Sequence, residues 1–279
     1  MKKAWIIVAS LLLLVGLTIF VAVMSVSGWD FSLLVTDKIT TVTHEIDGQF
    51  KNLSIMTDTS DITFKPSDNG RCEVVCNEFE KGPHLVSVKD GTLVIECAND
   101  RKWYDYIGIS AGSDDITIYL PSAEYGNLLV DVHTGDVTLP NGVCFESVKI
   151  KTTTGKIKLD GTECKGDVTL SVNTGDLEIA DVKCNSLFSK GTTGKVLAKN
   201  LLADSISIER DTGDVTLDSC DAKEIKVKTD TGDVEGSLLT EKVFSVKTST
   251  GKINVPNSQI GGACEISTDT GDIFFEINR

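Results

Sequence analysis

The amino-acid sequence predicts an all-β protein: a single-stranded, β-helix-like β-solenoid of ~20-residue repeats, preceded by one N-terminal transmembrane helix. Three observations predict this class. A long uncharged run opens the chain, a Thr-Gly pair returns every 19 or 20 residues, and apolar residues alternate on both sides of that pair. Because 41% of the 279 residues are hydrophobic, the chain can also bury a sizeable core.

The Thr-Gly pair, followed each time by Asp or Lys, is the strongest signal in the sequence. It occurs eight times at a nearly constant step, which is typical of a repeat architecture. We predict that its glycines form structural turns, because glycine adopts positive φ angles at no steric cost. These turn glycines are Gly135, Gly155, Gly175, Gly194, Gly213, Gly232, Gly251 and Gly271.

Apolar residues stand at fixed distances from each turn glycine. In nearly every repeat they lie two and four residues after it, and five and seven residues before it. A spacing of two is typical of a strand with one buried face. Since one repeat cannot bury that face alone, we expect the repeats to stack in chain order, ~4.8 Å apart. A propeller is disfavoured because its blades need about 40–45 residues each.

The residue that follows the turn glycine alternates between Asp and Lys along the chain, except at the step from Asp214 to Asp233. Opposite charges on neighbouring levels attract modestly. We interpret these residues as a solvated structural stripe rather than a binding site.

Three of the eight cysteines, Cys144, Cys164 and Cys184, follow their turn glycines by nine residues, so we expect one column on consecutive levels. Such a column is either a row of small buried hydrophobes or contains one disulfide. The chain has no CxxC pair and only three His, which argues against a Cys/His metal site. We predict no metal and no cofactor.

The N-terminal segment Ala4–Val26 carries no charge, and as a helix it would be roughly 34 Å long, enough to cross a bilayer. A retained transmembrane anchor is favoured over a cleaved signal peptide, whose apolar region is about 7–15 residues long. Lys2 and Lys3 would stay in the cytoplasm, so the chain after Gly28 would lie outside it.

We divide the chain into four parts: a cytoplasmic stub and anchor (1–27), a stem (28–39), an irregular strand-rich entry (40–120) and the regular repeats (121–279). In the entry, Ser60 stands where a turn glycine would be, and Asp90-Gly91 predicts a hairpin. The aromatic segment 98–108 either covers one end of the solenoid or binds a ligand.

The segment "TGDIFFEINR" is the last repeat in the sequence. Stacked in chain order, it would place Phe274, Phe275 and Ile277 at an open end of the solenoid. They would plug that end, dock a partner, or support end-to-end self-association.

Charge narrows the range of partners. The net charge is −14, and residues 1–27 hold two Lys and no acid, so the remainder carries −16. Such a surface argues against nucleic acid and against adsorption to anionic lipid. It attracts cations, including cationic peptides and basic proteins.

Motifs of catalysis are missing from the sequence. GxSxG and HExxH do not occur, and "KGTTGKV" lacks the spacing of a phosphate loop. The Asp-rich turns do not follow the nine-residue calcium-binding repeat. We therefore predict no enzyme and no catalytic, cofactor-binding or metal-binding residues. A carbohydrate-active solenoid enzyme with two facing carboxylates is a remote alternative.

The repeats "VDVHTGDVTL" and "VKTDTGDVEG", the strand "ITIYLP" and the N-terminal span together resemble a bacterial family. This is the putative-adhesin family, also called toastrack-domain proteins and formerly a domain of unknown function. The resemblance covers about residues 40–279 and implies a β-solenoid on the bacterial cell surface. Some members of the family belong to membrane modules that respond to envelope stress and cationic antimicrobial peptides.

Together, these observations lead to one functional expectation. The chain is expected to be a single-pass protein of the bacterial cell membrane whose C-terminal domain is an extracytoplasmic, non-catalytic binding or sensing scaffold. Its partner at the cell surface would be a protein or a cationic peptide. A surface adhesin that binds a host or cell-wall ligand is the main alternative.

Overall fold

The structure is a computed structural model that describes residues 2–30, 35–37, 39–80, 82–98, 109–110 and 113–278. Helix α1 spans Lys2–Val26 and so includes the predicted segment Ala4–Val26. Its residues Trp5–Val26 have a mean hydropathy of 3.0, and nearly all of them, Met24 excepted, are exposed. By length and composition this helix could cross a membrane.

The stem and the entry part together contain nine strands in the residues that the structure describes. They are β1 (Val35–Asp37), β2 (Ile39–Ile46), β3 (Asn52–Thr59), β4 (Asp61–Pro66), β5 (Cys72–Phe79), β6 (His84–Lys89), β7 (Thr92–Cys97), β8 (Ile109–Ser110) and β9 (Asp115–Leu120).

The repeats contribute the remaining strands, with a long strand before each turn glycine and a short one after it. They are β10 (Glu124–Thr134), β11 (Val137–Leu139), β12 (Cys144–Thr154), β13 (Ile157–Asp160), β14 (Glu163–Cys164), β15 (Asp167–Thr174), β16 (Leu177–Ala180), β17 (Ser186–Thr193), β18 (Val196–Lys199), β19 (Ser205–Thr212), β20 (Val215–Cys220), β21 (Glu224–Thr231), β22 (Val234–Leu238), β23 (Lys242–Thr250), β24 (Ile253–Asn254), β25 (Gly262–Thr270) and β26 (Ile273–Ile277).

All of these strands except β1 and β8 form two twelve-stranded sheets. Each level of the stack gives one sheet the strand before its turn and the other sheet the strand after it. The first sheet runs β23-β25-β21-β19-β17-β15-β12-β10-β3-β7-β6, with β14 paired to β12; the second runs β2-β5-β9-β4-β11-β13-β16-β18-β20-β22-β26-β24. Levels pair in parallel, with Thr134 opposite Thr154. The predicted β-solenoid is confirmed.

The core lies between the two sheets and is filled by the residues that the two-residue periodicity predicts to face inward. Val137 and Ile157, two residues after their glycines, and Val130 and Ile150, five residues before them, are fully buried. The inward position of the Gly194 level holds a polar residue, Ser189, which is also fully buried.

The repeat stack begins one level earlier than the Thr-Gly pairs. Strands β3 and β4 pair in parallel with β10 and β11, so that Thr59 lies opposite Thr134. Ser60 therefore occupies the turn position, as the sequence predicts, but it does not have a positive φ angle.

The next strands, β7 and β9, still pair in parallel with β3 and β4, and beyond them the entry part becomes antiparallel. Strand β5 pairs antiparallel with both β2 and β9, and β6 forms the predicted hairpin with β7 around Asp90-Gly91. Both turn residues of that hairpin have positive φ, 49° and 70°. The antiparallel strands extend the two sheets and their common core past the first turn level.

The order of the last levels corrects the expected stacking in chain order. Strand β25 lies between β21 and β23, and β26 lies between β22 and β24. The last repeat is therefore inserted, and the preceding one, β23–β24, forms the outer level. Phe275 is 3% exposed inside the core, so the expectation that Phe275 plugs the open end is wrong.

The predicted cysteine column is also corrected in part. Cys144 lies opposite Glu163, whereas Cys164 lies opposite Phe145, because β14 and β15 hold one extra residue around Lys165. Cys144 therefore stands outside the column. None of the eight cysteines forms a disulfide, and six of them are buried.

Two sequence predictions concern residues whose placement is not described. The aromatic segment 98–108 is described only at Ala98, and the stem lacks residues 31–34 and 38. Within the described part, the stem strand β1 pairs in parallel with β8, which follows the aromatic segment.

Candidate functional site

The candidate site is the corner of the solenoid where the turns stack, and its backbone is unusually crowded. The eight turn glycines have φ angles between 137° and 156°. A Cβ atom on Gly232 would overlap the carbonyl oxygen of Gly213 on the next level. The N–H of Gly232 donates in turn to the carbonyl of Thr270 at 2.9 Å. Only glycine allows the backbones to approach this closely.

An Asp after the turn glycine has a structural role that the sequence does not reveal. Its Oδ1 accepts a hydrogen bond from the backbone N–H of the equivalent residue on the next level. Asp233 donates to Asp214 at 3.2 Å, Asp272 donates to Asp233 at 2.7 Å, and Lys252 donates to Asp272 at 2.7 Å. These bonds satisfy backbone donors that the turn leaves without a strand partner.

The insertion of the last repeat brings the three Asp-Thr-Gly-Asp turns onto consecutive levels. Their order along the axis is the Gly213, Gly232 and Gly271 levels, with the Gly251 level outside them. The expected alternation of Asp and Lys therefore fails here. We call the resulting surface the acidic ridge; it consists of Asp211, Asp214, Asp230, Asp233, Asp269 and Asp272.

The ridge has an inner and an outer column. The inner column, Asp214, Asp233 and Asp272, accepts the backbone bonds described above. The outer column, Asp211, Asp230 and Asp269, is exposed, and no hydrogen bond or ion pair joins these side chains to another described residue.

Lysines stand only at the two ends of the inner column. At one end Lys195 Nζ lies 3.1 Å from Asp214, and this contact is the largest cause of the lowered pKa of the Asp214 carboxyl. At the other end Lys252 follows Asp272. With levels ~4.8 Å apart, six carboxylates cover about 10 Å of the axis. Neighbouring unit charges repel by about 1 kcal/mol even in water, so a bound cation would relieve repulsion.

A groove along the opposite corner, where the variable loops lie, offers a second surface. One cavity of about 470 Å³ is lined by Glu124, Cys144, Lys165 and Asp204, among others. It continues into neighbouring cavities on both sides, which share these residues. Lys165 pairs with Glu124 at 2.7 Å. Because both signs of charge line this groove, it favours no single class of ionic partner.

The sequence predicted the turn positions but not the ridge. Read in chain order, the Lys252 repeat separates the second and third Asp-Thr-Gly-Asp turns. One signal was available: only these three turns carry Asp on both sides of Thr-Gly.

Comparisons with known proteins identify the family to which this chain belongs. Among curated proteins, none has a sequence that matches this chain. A structure from Bacteroides fragilis NCTC 9343 named a "putative adhesin" is similar at 19% identity and a TM-score of 0.50, covering 86% of this chain and 97% of its own. A "putative lipid binding protein" from Parabacteroides distasonis ATCC 8503 is similar at 13% identity and a TM-score of 0.50, covering 85% and 97%. The Toastrack DUF4097 family model matches residues 50–186 and 161–279, so the chain belongs to the Toastrack family.

Proposed function

We propose that this chain is a membrane-anchored, extracytoplasmic scaffold without catalytic activity, and that it binds a cationic peptide or a basic protein segment at the acidic ridge. The observation that carries the proposal is the consecutive stacking of the three Asp-Thr-Gly-Asp turns. Helix α1 is the anchor, and the solenoid is the rigid support of the site.

The outer column is the part of the ridge that is available to a partner. Asp211, Asp230 and Asp269 are exposed and are not engaged by other described side chains, so binding need not break an existing contact. An exposed ion pair contributes only about 0–1 kcal/mol. A partner must therefore bring several Lys or Arg residues at once, and salt should weaken its binding.

The rigidity of the corner supports the same function. The carboxylates sit on a backbone that is fixed by the glycine turns and by hydrogen bonds between levels, such as the one from Gly232 to Thr270. A fixed array loses little conformational entropy when a partner binds. The names of the two structural neighbours, adhesin and lipid-binding protein, fit a binding role rather than catalysis.

Binding at the ridge can be tested with the full-length chain in nanodiscs of uncharged lipid and a fluorescent oligolysine probe. The test variant is the triple substitution Asp211→Asn, Asp230→Asn and Asp269→Asn. The matched control is Glu146→Gln, Glu163→Gln and Glu224→Gln, three exposed acids elsewhere on the solenoid with the same change in net charge.

We expect the ridge variant to bind the probe about tenfold more weakly than wild type. The control variant should bind it less than about twofold more weakly than wild type. Wild-type affinity should fall with rising salt. Equal losses in the two variants would mean that only net charge matters and would overturn the ridge as the site. If wild type does not bind the probe, the cationic-partner proposal is wrong, and cell attachment lost on deletion would favour adhesion instead.

Anchoring needs its own experiment. After membrane fractionation, an anchored chain resists extraction by alkaline carbonate, and its solenoid is digested by protease added outside the cell. A mature N-terminus at Gly28 would show cleavage and contradict the anchor.

A further inference from the structure

A second group of polar side chains lies inside the solenoid, in the entry part, and takes no part in the proposed function. Cys76 and Glu78 face inward from β5, and His84 is the first residue of β6. Their exposed fractions are 0%, 7% and 3%. We call these three residues the entry cluster.

The turn between β5 and β6 brings the cluster together. The chain leaves the second sheet at Phe79 and joins the first sheet at His84, with a bridge between Phe79 and Gly82. The backbone N–H of His84 donates to Glu78 Oε2 at 2.7 Å, and His84 Nδ1 lies 3.3 Å from the same oxygen. One ligand atom from each of Cys76, Glu78 and His84 lies within 4.8 Å of the others.

Two more polar groups surround the imidazole on its other side. His84 Nε2 lies 3.3 Å from Ser60 Oγ and 3.5 Å from Asp114 Oδ1. Asp114 adjoins the first residue of β9, the strand that pairs with β5. A carboxylate behind the second nitrogen is the usual outer partner of a metal-bound histidine, because it fixes the ring and its tautomer.

Burial disfavours the charged forms of both the Cys76 thiol and the His84 imidazole. Desolvation, with smaller effects of Glu78 and Asp114, raises the pKa of the Cys76 thiol to about 12. Desolvation also lowers the pKa of His84, against the opposing effect of Glu78 and with a further lowering from His44. The imidazole is therefore neutral, which is the form that binds metals. His84 Nδ1 is buried and makes no hydrogen bond of good geometry.

We propose that the entry cluster is a Zn²⁺ site in which Cys76 Sγ, a carboxylate oxygen of Glu78 and His84 Nδ1 bind the metal, and a water takes the fourth tetrahedral position. Sulfur, imidazole nitrogen and carboxylate oxygen are the ligands that zinc takes in proteins. Tetrahedral zinc holds such atoms roughly 3.3–3.7 Å apart. His84 Nδ1 and Glu78 Oε2 are already at that separation, so only Cys76 Sγ would have to approach, by about 1 Å at most. Asp114 holds Nε2–H as the outer partner.

Coordination requires the thiolate, so the proton of Cys76 leaves to solvent when the metal binds, and acid weakens the site. The ionisable side chains that face the proposed metal are Cys76, Glu78, His84 and Asp114, and His44 lies nearby. Because the ligands are buried, we expect metal uptake to accompany folding.

The order Ser60–His84–Glu78 also resembles a hydrolytic triad. A nucleophilic serine must reach its substrate, and Ser60 is 3% exposed. Asp114 also lies beside Nε2, the nitrogen that would have to take the proton of the serine. The arrangement therefore fits a buried metal site better than a catalytic one.

The test uses the full-length chain in detergent, refolded with Zn²⁺ or with Co²⁺ as a spectroscopic probe and then dialysed. We expect about one metal ion per chain by elemental analysis. Bound Co²⁺ should show the visible bands of tetrahedral coordination and a thiolate-to-Co²⁺ charge-transfer band. Wild type that holds neither metal, or a Co²⁺ complex without the thiolate band, would overturn the proposal.

Variants assign the ligands. Cys76→Ser should abolish the charge-transfer band, and His84→Gln should weaken metal binding by about tenfold or more. Cys72→Ser is the matched control, because Cys72 is also buried on β5 but lies outside the cluster. Equal loss in Cys72→Ser and Cys76→Ser would contradict the assignment. Wild-type Co²⁺ spectra keep the test decisive if a variant fails to fold.

Discussion

The regular stack and the entry part share two sheets and one core, but they differ at the corner where the chain passes from one sheet to the other. In the stack a glycine with positive φ lies against the glycine of the next level. In the entry, Ser60 has replaced the glycine, β5 runs in the opposite direction, and buried polar side chains fill the corner. Stacked glycine turns thus exclude a side chain at the turn position itself, whereas the broken repeat places Ser60 there, with its Oγ 3.3 Å from His84 Nε2.

The largest effect is expected from Gly232→Val, which tests the stack. The new side chain would overlap the carbonyl of Gly213 and would need a φ of 150°. We expect a loss of more than about 4 kcal/mol of unfolding free energy, measured by chemical denaturation. Gly142→Val is the control: Gly142 has φ 85° but no heavy atom near its Cβ position. It should cost about 1–2 kcal/mol. Equal stability of Gly232→Val and wild type would refute the stacked-turn argument.

A second prediction concerns the one buried lysine of the stack's outer level. Lys242 is 1% exposed and forms an ion pair with Asp221. This ion pair fixes the first residue of the outer level to an inner level of the stack. We expect Lys242→Ala to cost about 2–4 kcal/mol, because an acid would lose its buried partner. The exposed pair of Lys223 with Asp204 is the control, and Lys223→Ala should cost less than about 0.5 kcal/mol. Similar thermal shifts in the two variants would argue against the crossover contact.

A third prediction concerns the pH dependence of stability in the entry part. Burial lowers the pKa of folded His84 below the ordinary value. The unfolded chain therefore binds a proton first as pH falls below about 6.5, so stability is lost in acid and is complete above that value. Between pH 7 and pH 5, with a chelator present, we expect a loss of unfolding free energy that His84→Gln removes. His133→Gln, at an exposed position, should keep the wild-type pH profile. A wild-type profile in His84→Gln would contradict the prediction.

The smallest effect is expected at the acidic ridge. Asp233→Asn keeps Oδ1 as the acceptor for the N–H of Asp272, so stability should change by less than about 0.5 kcal/mol. Asp233→Ala removes the acceptor and should cost about 1 kcal/mol. Denaturation of the two variants in parallel separates hydrogen bonding from charge. If Asp233→Asn lowers the unfolding free energy as much as Asp233→Ala does, the stabilising contribution of Asp233 comes from its charge and not from its hydrogen bond.

Most of the fold could be predicted from the sequence, because two periods constrain it at once. Alternation decides which side chains face inward, and the 19- or 20-residue step decides which residues lie on neighbouring levels. Thr134 opposite Thr154 and Thr212 opposite Thr231 follow directly from that step.

The order of the last levels could not be predicted, because the repeats around Gly251 and Gly271 carry equivalent patterns. Thr231 pairs with Thr270, yet Thr250 would offer the same register. Periodicity specifies what each level looks like and leaves open which level lies beside which. The acidic ridge depends on that order and was missed for the same reason.

The entry cluster was missed because its members come from strands of opposite direction, with no metal-binding spacing. One signal was present: in "CEVVCNEF", Glu78 falls on the inward side of the alternation with Cys72, Val74 and Cys76. A carboxylate at an inward position needs a partner. The partner, His84, lies beyond the turn and in the other sheet, so alternation along one strand cannot identify it.

The inserted final repeat also constrains the sequence of events in folding. During synthesis the repeat Lys242–Asn254 emerges before Gly262–Ile277, and at that moment the vacant edge beside Glu224–Thr231 offers it a register of its own. The native order is reached only if that early pairing is avoided or undone. Native folding therefore competes with an alternative form in which the last two repeats have exchanged positions in the stack. That form would have the same turns and the same hydrogen-bond pattern. In that form Lys252 would separate two of the three acidic turns, and the ridge would not exist.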